Sequence, residues 1–568
     1  MSALRAIRDW ARRVPLVSAR ARWLWVAACL VVEVVWTPGS PGRGLVVLTL
    51  VTLGMRMRVS AIIAVALAIA VHAPVCLSFP LGPLCLCGIY VVLLDERGWS
   101  GAFRLGVYFT IAHVLVSLHW TLATLARAWP VELLLIALAG TYYGIAFTLV
   151  WCVLRARWRT LVPCAALVIP AFDLLRAANP VLPLGYVVVA HAANEWDALN
   201  QLAEPLGWLG FACFVSLSSL LAAYGYRLLR SGATRRAGVR AALVWVGMLL
   251  IAVGSGSMRR DSLTIDKAEV NTLAFVQRYN PRGIDIAGEP KPLQDFLPEL
   301  LGCGAEIAII PETGLVVPHP KALPIGLVNR PSIGDIQALL VAYPHVRQVL
   351  AGVHISLDAR DNAYRNVVMA IERDGVTGVV DKCHGSPIGE VAPLPWLPLI
   401  GPLLARFGEG TQRLKLQASG ATLGALFRWA ACVCQDQTDP RLFVGRIETW
   451  DDVSGIVIVA DNRWFKYAQT ERLQSRAARK LTAVIHRRAV AYCANGGSEV
   501  VTSSGALAFA APAQAGVYLT EITLRTKGVR PWVFTVLTLT LAAGVAVFVS
   551  HLARTTGILK TGRKSAGM

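Results

Sequence analysis

The sequence is short of charge, and shortest of negative charge. Asp and Glu number 35 against 55 Lys and Arg, and together they make up 16% of 568 residues, where soluble domains average roughly 25%. Hydrophobic residues make up 55% and the mean hydropathy is +0.54. Those figures exclude a disordered chain, which is low in hydrophobicity, and argue against one soluble globular domain. The length corresponds to roughly three or four domain-sized units. No internal repeat and no low-complexity tract is visible. The basic N-terminal stretch is followed by further apolar runs rather than by a small-residue cleavage site, so a removable signal is not expected. A disulfide framework is lacking too. Seven of the 12 cysteines (Cys29, Cys76, Cys85, Cys87, Cys152, Cys164, Cys213) lie in or beside apolar runs, which is how a small hydrophobe is used. The other five, Cys303, Cys383, Cys432, Cys434 and Cys493, are an odd number.

What the sequence does have is long apolar runs. A membrane span needs about 20 mostly apolar residues. Candidate spans fall near 24–37, 43–55, 59–76, 80–94, 105–125, 132–154, 160–176, 205–229 and 239–256, with one more at Pro531–Leu552. The second and fourth are short and fit a re-entrant segment or a merger with a neighbour. From 257 to 530 charged residues return at regular intervals among short β-rich runs.

Arginine placement orients the whole. Basic residues precede the first span (Arg5 to Arg22) and lie between spans two and three (Arg56, Arg58). They recur between six and seven (Arg155, Arg157, Arg159), between eight and nine (Arg227 to Arg240), and after the last (Arg554 to Lys564). With nine spans before the polar segment, all these loops share one side, which the positive-inside rule makes the cytoplasm. With Arg97 and Arg104 they hold 22 Lys and Arg against Asp9, Asp95 and Glu96. The net +20 is therefore a topological signal and no nucleic-acid footprint. The expected organisation has three parts. Residues 1–256 form a polytopic α-helical membrane domain of about eight or nine spans. Residues 257–530 form a polar domain on the far side, the periplasm of a bacterium. Residues 531–568 supply a last span and a basic cytoplasmic tail.

Within 270–525, β-runs alternate with helical patterns, which predicts an α/β sandwich. Three strand-end motifs stand out. They are Ile309-Ile310-Pro311-Glu312-Thr313, Val379-Val380-Asp381-Lys382-Cys383-His384 and Ala431-Cys432-Val433-Cys434-Gln435-Asp436. Residues at strand ends converge on one rim of an α/β sheet. A thiol nucleophile needs a base, and its attack makes an oxyanion that needs a cation or amide donor. Glu312 as base, Cys434 as nucleophile and Lys382 as oxyanion stabiliser meet that list. Taken singly, each has a plainer reading. Strand-end Glu and Lys are mostly solvated, and a buried Cys mostly packs. Cys432-x-Cys434 is half of a metal site, but no second His/Cys pair of suitable spacing follows. No metal or other cofactor is expected.

The order Glu, Lys, Cys in these surroundings resembles the carbon–nitrogen hydrolase (nitrilase) superfamily. The spans and outward domain narrow the resemblance to its membrane-bound branch, the apolipoprotein N-acyltransferase family. Leu273-Ala274-Phe275-Val276-Gln277 resembles that family's first strand, and Pro311-Glu312-Thr313 its Pro-Glu-Thr. Asp381-Lys382-Cys383-His384 with Pro387-Ile388-Gly389-Glu390 resembles its Asp-Lys-x-His…Pro-Phe-Gly-Glu. Val433-Cys434-Gln435-Asp436 resembles its Ile-Cys-Tyr-Glu. Trp464-Phe465 and Asn495-Gly496-Gly497, with Arg488 upstream, resemble later positions. In the membrane half, Leu184-Gly185-Tyr186 and Gln201-Leu202-Ala203…Gly207 resemble an outer loop before a span. The sequence departs from the pattern where Cys-Tyr-Glu reads Cys434-Gln435-Asp436 and Asn-Asp reads Asp461-Asn462. Such departures fit a divergent subgroup such as the conjugal-transfer TraB proteins.

The resemblance implies an α-β-β-α nitrilase-like sandwich with Glu312, Lys382 and Cys434 catalytic and Glu390, Asp436, Asn462 and Trp464 in support. It implies ping-pong acyl transfer at the inner membrane, from a phospholipid donor through a Cys434 thioester to an amine acceptor such as a lipoprotein. The competing readings are a membrane-tethered amidase with water as acceptor, and a non-catalytic envelope or conjugation component. Glu33 and Asp173 lie in apolar runs and are expected near span ends with access to water. His113 and His119 are expected to be packed or interfacial. Cys303, Cys383 and Cys493 are expected to be structural.

Overall fold

The structure is a computed structural model. It describes residues 82–117, 129–156, 159–177, 188–230, 235–261, 263–265, 270–278, 293–317, 332–358, 363–385, 413–414, 422–439, 442–443, 447, 450–462, 469–512, 514–524 and 526–528, with 543 and 547. The expected spans before residue 80 and His119 lie outside the described residues, as does nearly all of the last span.

Among the described residues, the longer helices of the first unit are α1 (Cys87–Asp95), α2 (Trp99–Ser117), α3 (Trp129–Leu154), α4 (Ala165–Ala177), α5 (Ala203–Arg230) and α6 (Arg235–Asp261). Among the described residues, three segments are long and apolar enough to cross a membrane by length and composition. They are Ile136–Leu154 in α3, the whole of α5, and Arg235–Arg260 in α6. Helix α5 is the buried centre, and its serines are all used inside. Ser219 donates to the Pro83 carbonyl, Ser216 meets the Tyr90 hydroxyl, and Ser218 accepts from the Trp245 indole. By contrast α6 leaves Leu243, Val246 and Leu250 exposed along one side, an apolar face of the kind that marks a membrane or partner surface. At the start of α5, Pro205 lacks an N–H and Gly207 takes φ +66° with ψ 179°, a conformation open only to glycine. The first turn, with Glu204, is thereby bent away from the rest.

Asp173 is not at a wet span end, as the sequence led one to expect. It is 3% exposed. Its carboxylate accepts from the Val189 amide at 2.9 Å and the Tyr143 hydroxyl at 3.3 Å, with Arg176 at 3.6 Å. Val189, sixteen residues on, supplies that amide, which no periodicity in α4 announces. His113 is packed, stacked on Phe109.

The second unit has two mixed sheets. The first runs β14 (Gly516–Thr523), β2 (Val270–Gln277), β3 (Ile307–Val317), β4 (Gln348–Asp358), β5 (Ala363–Glu372), β6 (Gly375–Asp381), with the short β7 (Arg413–Leu414) on β5. The second runs β13 (Leu507–Ala510), β12 (Glu499–Val501), β11 (Val490–Ala494), β10 (Gly455–Ala460), β9 (Trp429–Val433), β8 (Thr422–Leu423). The strands β2–β3–β4 are parallel, as are β9–β10–β11. Their sequences are continuous apolar runs because both faces are covered. Alternate residues divide the faces. Leu273, Phe275, Ile307 and Ile309 point at Trp429, Ile456 and Ile458 of the other sheet. Ala274, Val276, Ala308 and Ile310 pack under α7 (Leu297–Gly302) and α8 (Ile333–Ala342). On the far face of the second sheet lies α9 (Gln469–His486), with the Arg479 guanidinium 3.8 Å over the Tyr492 ring of β11. The result is an α-β-β-α sandwich.

The two units are joined closely. Leu481 and Val484 of α9 belong to the same apolar core as α5. The Glu204 carboxylate receives both Arg487 and Arg259 through Nε at 2.6 Å, all three side chains being 3% exposed. Gln201 accepts from Arg487 and donates to the Ser504 carbonyl. A two-stranded ribbon, β1 (Leu263–Ile265) against β15 (Thr526–Gly528), ties the entry of the sandwich to its exit.

Candidate active site

Glu312 sits where β3 leaves its ladder. Ile310 pairs with Ala351 and Leu315 with Val353, so residues 311–314 bulge out opposite the single residue Gly352. The bulge presses on β4: a Cβ at Gly352 would lie 2.5 Å from the Glu312 Cα and the Pro311 carbonyl oxygen, which only glycine allows. Thr313 carries a positive φ of 58°. The backbone therefore turns Glu312 out of the ladder and into the protein interior.

Lys382 follows the last residue of β6. Its amide donates to the Asn366 carbonyl at 2.9 Å. Its Nζ reaches Glu312 Oε1 at 2.9 Å, and Asn366 Nδ2 donates to the same oxygen at 3.1 Å. Asp381, just before, is held by both arms of Arg365 at 2.6 Å. Glu312 and Lys382 are 2% and 1% exposed. A charge pair this far from water is expensive to assemble and persists where the geometry is held by its surroundings.

Cys434 occupies the first position of a single 3₁₀ turn, Cys434–Thr438, directly after β9. Its φ is +50°, a left-handed conformation that costs a non-glycine residue about 1–2 kcal/mol. A nucleophile on such a strand-to-helix turn is held clear of its own backbone. Asp436 fixes the turn and joins it to the lysine segment. Its carboxylate accepts from the amides of Val433 (3.2 Å), Cys383 (3.1 Å) and His384 (2.6 Å). The His384 ring lies between Asp436 at 3.2 Å and Asp439 at 3.4 Å. The residues flanking Lys382 and Cys434 thus share one carboxylate, and Glu312 is bonded to Lys382. The three strand-end motifs meet at one rim.

Of the supporting residues, Asp436 holds the rim together. Asn462, at the end of β10 beside Cys434, accepts from the Tyr492 hydroxyl at 2.7 Å. Glu390 and Trp464 lie outside the described residues. Asn495 extends its amide toward the Glu312 carbonyl at 3.5 Å. Arg488 faces elsewhere, bracing the 450–453 loop through the Val453 and Trp450 carbonyls. Cys432 is fully buried, and burial, with Asp436 adding to it, pushes its thiol well above the usual range, so it supplies no ready thiolate. The Cys493 thiol, pushed up to about 12 by burial, faces the Val276 and Ile309 carbonyls and is structural. No disulfide joins any of the ten described cysteines, and no cluster of metal-binding side chains occurs among the described residues.

Sequence reasoning missed Asn366, whose place on β5 carries no motif, and Gln437 and Arg479. Gln437 Nε2 donates to the Cys434 carbonyl at 2.9 Å, and its Oε1 accepts from Arg479 at 2.8 Å. Behind Arg479 stands Glu499, paired also with Arg476 and Arg472.

Comparison with known proteins finds a family model that matches part of the N-terminal segment. Residues 64–221 match the family model described as "Apolipoprotein N-acyltransferase N-terminal domain". No curated protein matches the chain. Similar solved structures include a carbon-nitrogen hydrolase from Helicobacter pylori, at 13% identity and TM-score 0.32, covering 49% of this chain and 93% of that one. A branch 10 nitrilase-superfamily member from Saccharomyces cerevisiae is 13% identical with TM-score 0.31, covering 48% and 94%. A CN-hydrolase superfamily protein from Xanthomonas campestris is 17% identical with TM-score 0.31, covering 51% and 97%.

Proposed function

We propose, from the premise that the chain carries the N-terminal domain of the apolipoprotein N-acyltransferases, that it is a membrane acyltransferase. It moves an acyl chain from a phospholipid to an amine acceptor of the lipoprotein type by way of a thioester on Cys434. The observation that carries this reading is the buried Glu312–Lys382 pair beside the strained Cys434 turn, in a sandwich docked on that same N-terminal domain through Gln201 and Glu204.

In the first half-reaction Glu312 takes the Cys434 proton and the sulfur attacks the ester carbonyl. Lys382 stabilises the oxyanion, the carbon–oxygen bond breaks, and Glu312 returns its proton to the departing lysophospholipid. In the second half the amine attacks the thioester, Glu312 takes the amine's proton, and the thiolate leaves and is reprotonated. Oxyanion donors of this kind are worth roughly 10²–10³ in rate each. A membrane-seated site suits two lipidated substrates, because drawing an acyl chain into water costs about 0.8 kcal/mol per CH₂. The arginine pattern supports a multi-pass inner-membrane protein with its sandwich in the periplasm.

The test is complementation of a bacterium depleted of its own N-acyltransferase, read as the mass of a reporter lipoprotein. The wild-type chain restores the triacylated form and Cys434→Ser does not. A reporter left diacylated by well-expressed wild-type protein overturns the reading.

A further inference from the structure

We infer that Gln437, held by the Arg479–Glu499 pair behind it, is a positioning residue that sets the backbone of Cys434 for attack. This rests on the acyl-transfer reading above and adds to it a part of the site that no motif marks.

The left-handed turn at Cys434 needs holding from both sides, since a non-glycine residue stays there only when its surroundings over-determine it. On the strand side, Asp436 accepts from the Val433 amide. On the other side the Cys434 carbonyl accepts from Gln437 Nε2 at 2.9 Å. An amide side chain can present either end, so something must decide which end faces Cys434. Arg479 does so: it has only donors, and it claims Gln437 Oε1 at 2.8 Å. Arg479 is itself fixed, 1% exposed, its guanidinium over the Tyr492 ring at 3.8 Å and on Glu499 at 2.7 Å. Tyr492 in turn orients Asn462 on the neighbouring strand end. The chain Glu499–Arg479–Gln437 thus runs from the back of the second sheet to the main chain of Cys434. None of its members touches a reacting atom.

The test uses the full chain in detergent and a short-chain p-nitrophenyl ester as acyl probe. The Cys434 thiol gives its proton to Glu312, a carbon–sulfur bond forms, and the ester carbon–oxygen bond breaks to release p-nitrophenolate. Release is followed against ester concentration and pH, and the adduct is located by mass spectrometry. Gln437→Met removes the donor without adding charge. Gln437→Glu keeps a partner for Arg479, and so the local fold, but turns an acceptor on the Cys434 carbonyl. Gln437→Glu is expected to keep the wild-type melting temperature, and both variants the half-saturating ester concentration, while the maximal acylation rate falls about tenfold to a hundredfold, the scale of a small misplacement. The rate profile is expected to move to higher pH in Gln437→Glu alone, where a carboxylate now lies against the Cys434 main chain. A wild-type maximal rate in Gln437→Glu overturns the inference while leaving the acyl-transfer reading in place. A wild-type chain that takes no adduct at Cys434 overturns the reading itself.

Discussion

Glu499 gives the sharpest physical prediction. It is fully buried on β12, with Arg476 at 2.5 Å, Arg479 at 2.7 Å and Arg472 at 3.5 Å. Burial alone would push its carboxyl up, but Arg479, then Arg476 and Arg472, outweigh that and hold it at about 2 against an ordinary 4.5. At about 1.4 kcal/mol per pH unit, the difference corresponds to about 3 kcal/mol of stability. Because the folded value lies below the unfolded one, this stability is fully present above about pH 4.5 and is lost as pH falls toward 2. Glu499→Gln removes it and leaves Arg479 buried with weaker partners. Chemical denaturation of wild type and variant in the same detergent, across that pH range, checks the reasoning. The expected result is a gap of about 3 kcal/mol at pH 7 that closes as pH drops from 4.5 to 2. A gap of the same size at every pH would refute it.

The remaining predictions concern the same framework. Glu471, buried in the first turn of α9 against Ser475, is pushed up by burial to about 7. Its folded value lies above the unfolded one, so stability is full below about pH 4.5 and is lost as pH rises toward 7. Glu471→Gln is therefore expected to raise the melting temperature at pH 8 and leave it unchanged at pH 4, and equal effects at both would count against the assignment. Gly352→Ala forces the β3 bulge to move and is expected to cost about 1–3 kcal/mol and most of the ester activity; calorimetry and p-nitrophenol release check both. Glu204→Gln strips the shared partner from Arg259 and Arg487 and is expected to cost about 3–5 kcal/mol, with the sandwich and the helical unit melting separately in a calorimetric scan. A single unchanged transition would show that the coupling does not depend on Glu204.

The chemistry was legible where it is local. Glu312, Lys382 and Cys434 each follow an apolar run that reads as a strand, although Glu312 lies at a bulge inside β3 rather than at its end. The alternation of faces in β2 and β3 was hidden, because with both faces buried the residues read as one apolar block. The supports were legible only in part. Asp436 stood out as a departure, yet nothing in Cys434-Gln435-Asp436 says that the shortened acid reaches the Cys383 and His384 amides some fifty residues away. Asn366 reaches Glu312 from another strand of the same sheet, Gln437 is oriented by Arg479 of α9, and Glu204 joins the two units, contacts that spacing in the chain does not announce. Asp173 was misread for the same reason: its partner Val189 lies sixteen residues on, beyond the end of α4.

In the proposed reaction Cys434 carries an acyl group taken from a phospholipid. The most direct measurement is intact and peptide mass spectrometry of the full chain after incubation with phosphatidylethanolamine of defined acyl chain, without acceptor. The expected result is an adduct of one acyl chain on Cys434, absent in Cys434→Ser and Glu312→Gln, and lost when an amine-bearing diacylated peptide is added. An adduct that persists in Cys434→Ser, or none in the wild type while free amides are hydrolysed, would contradict it.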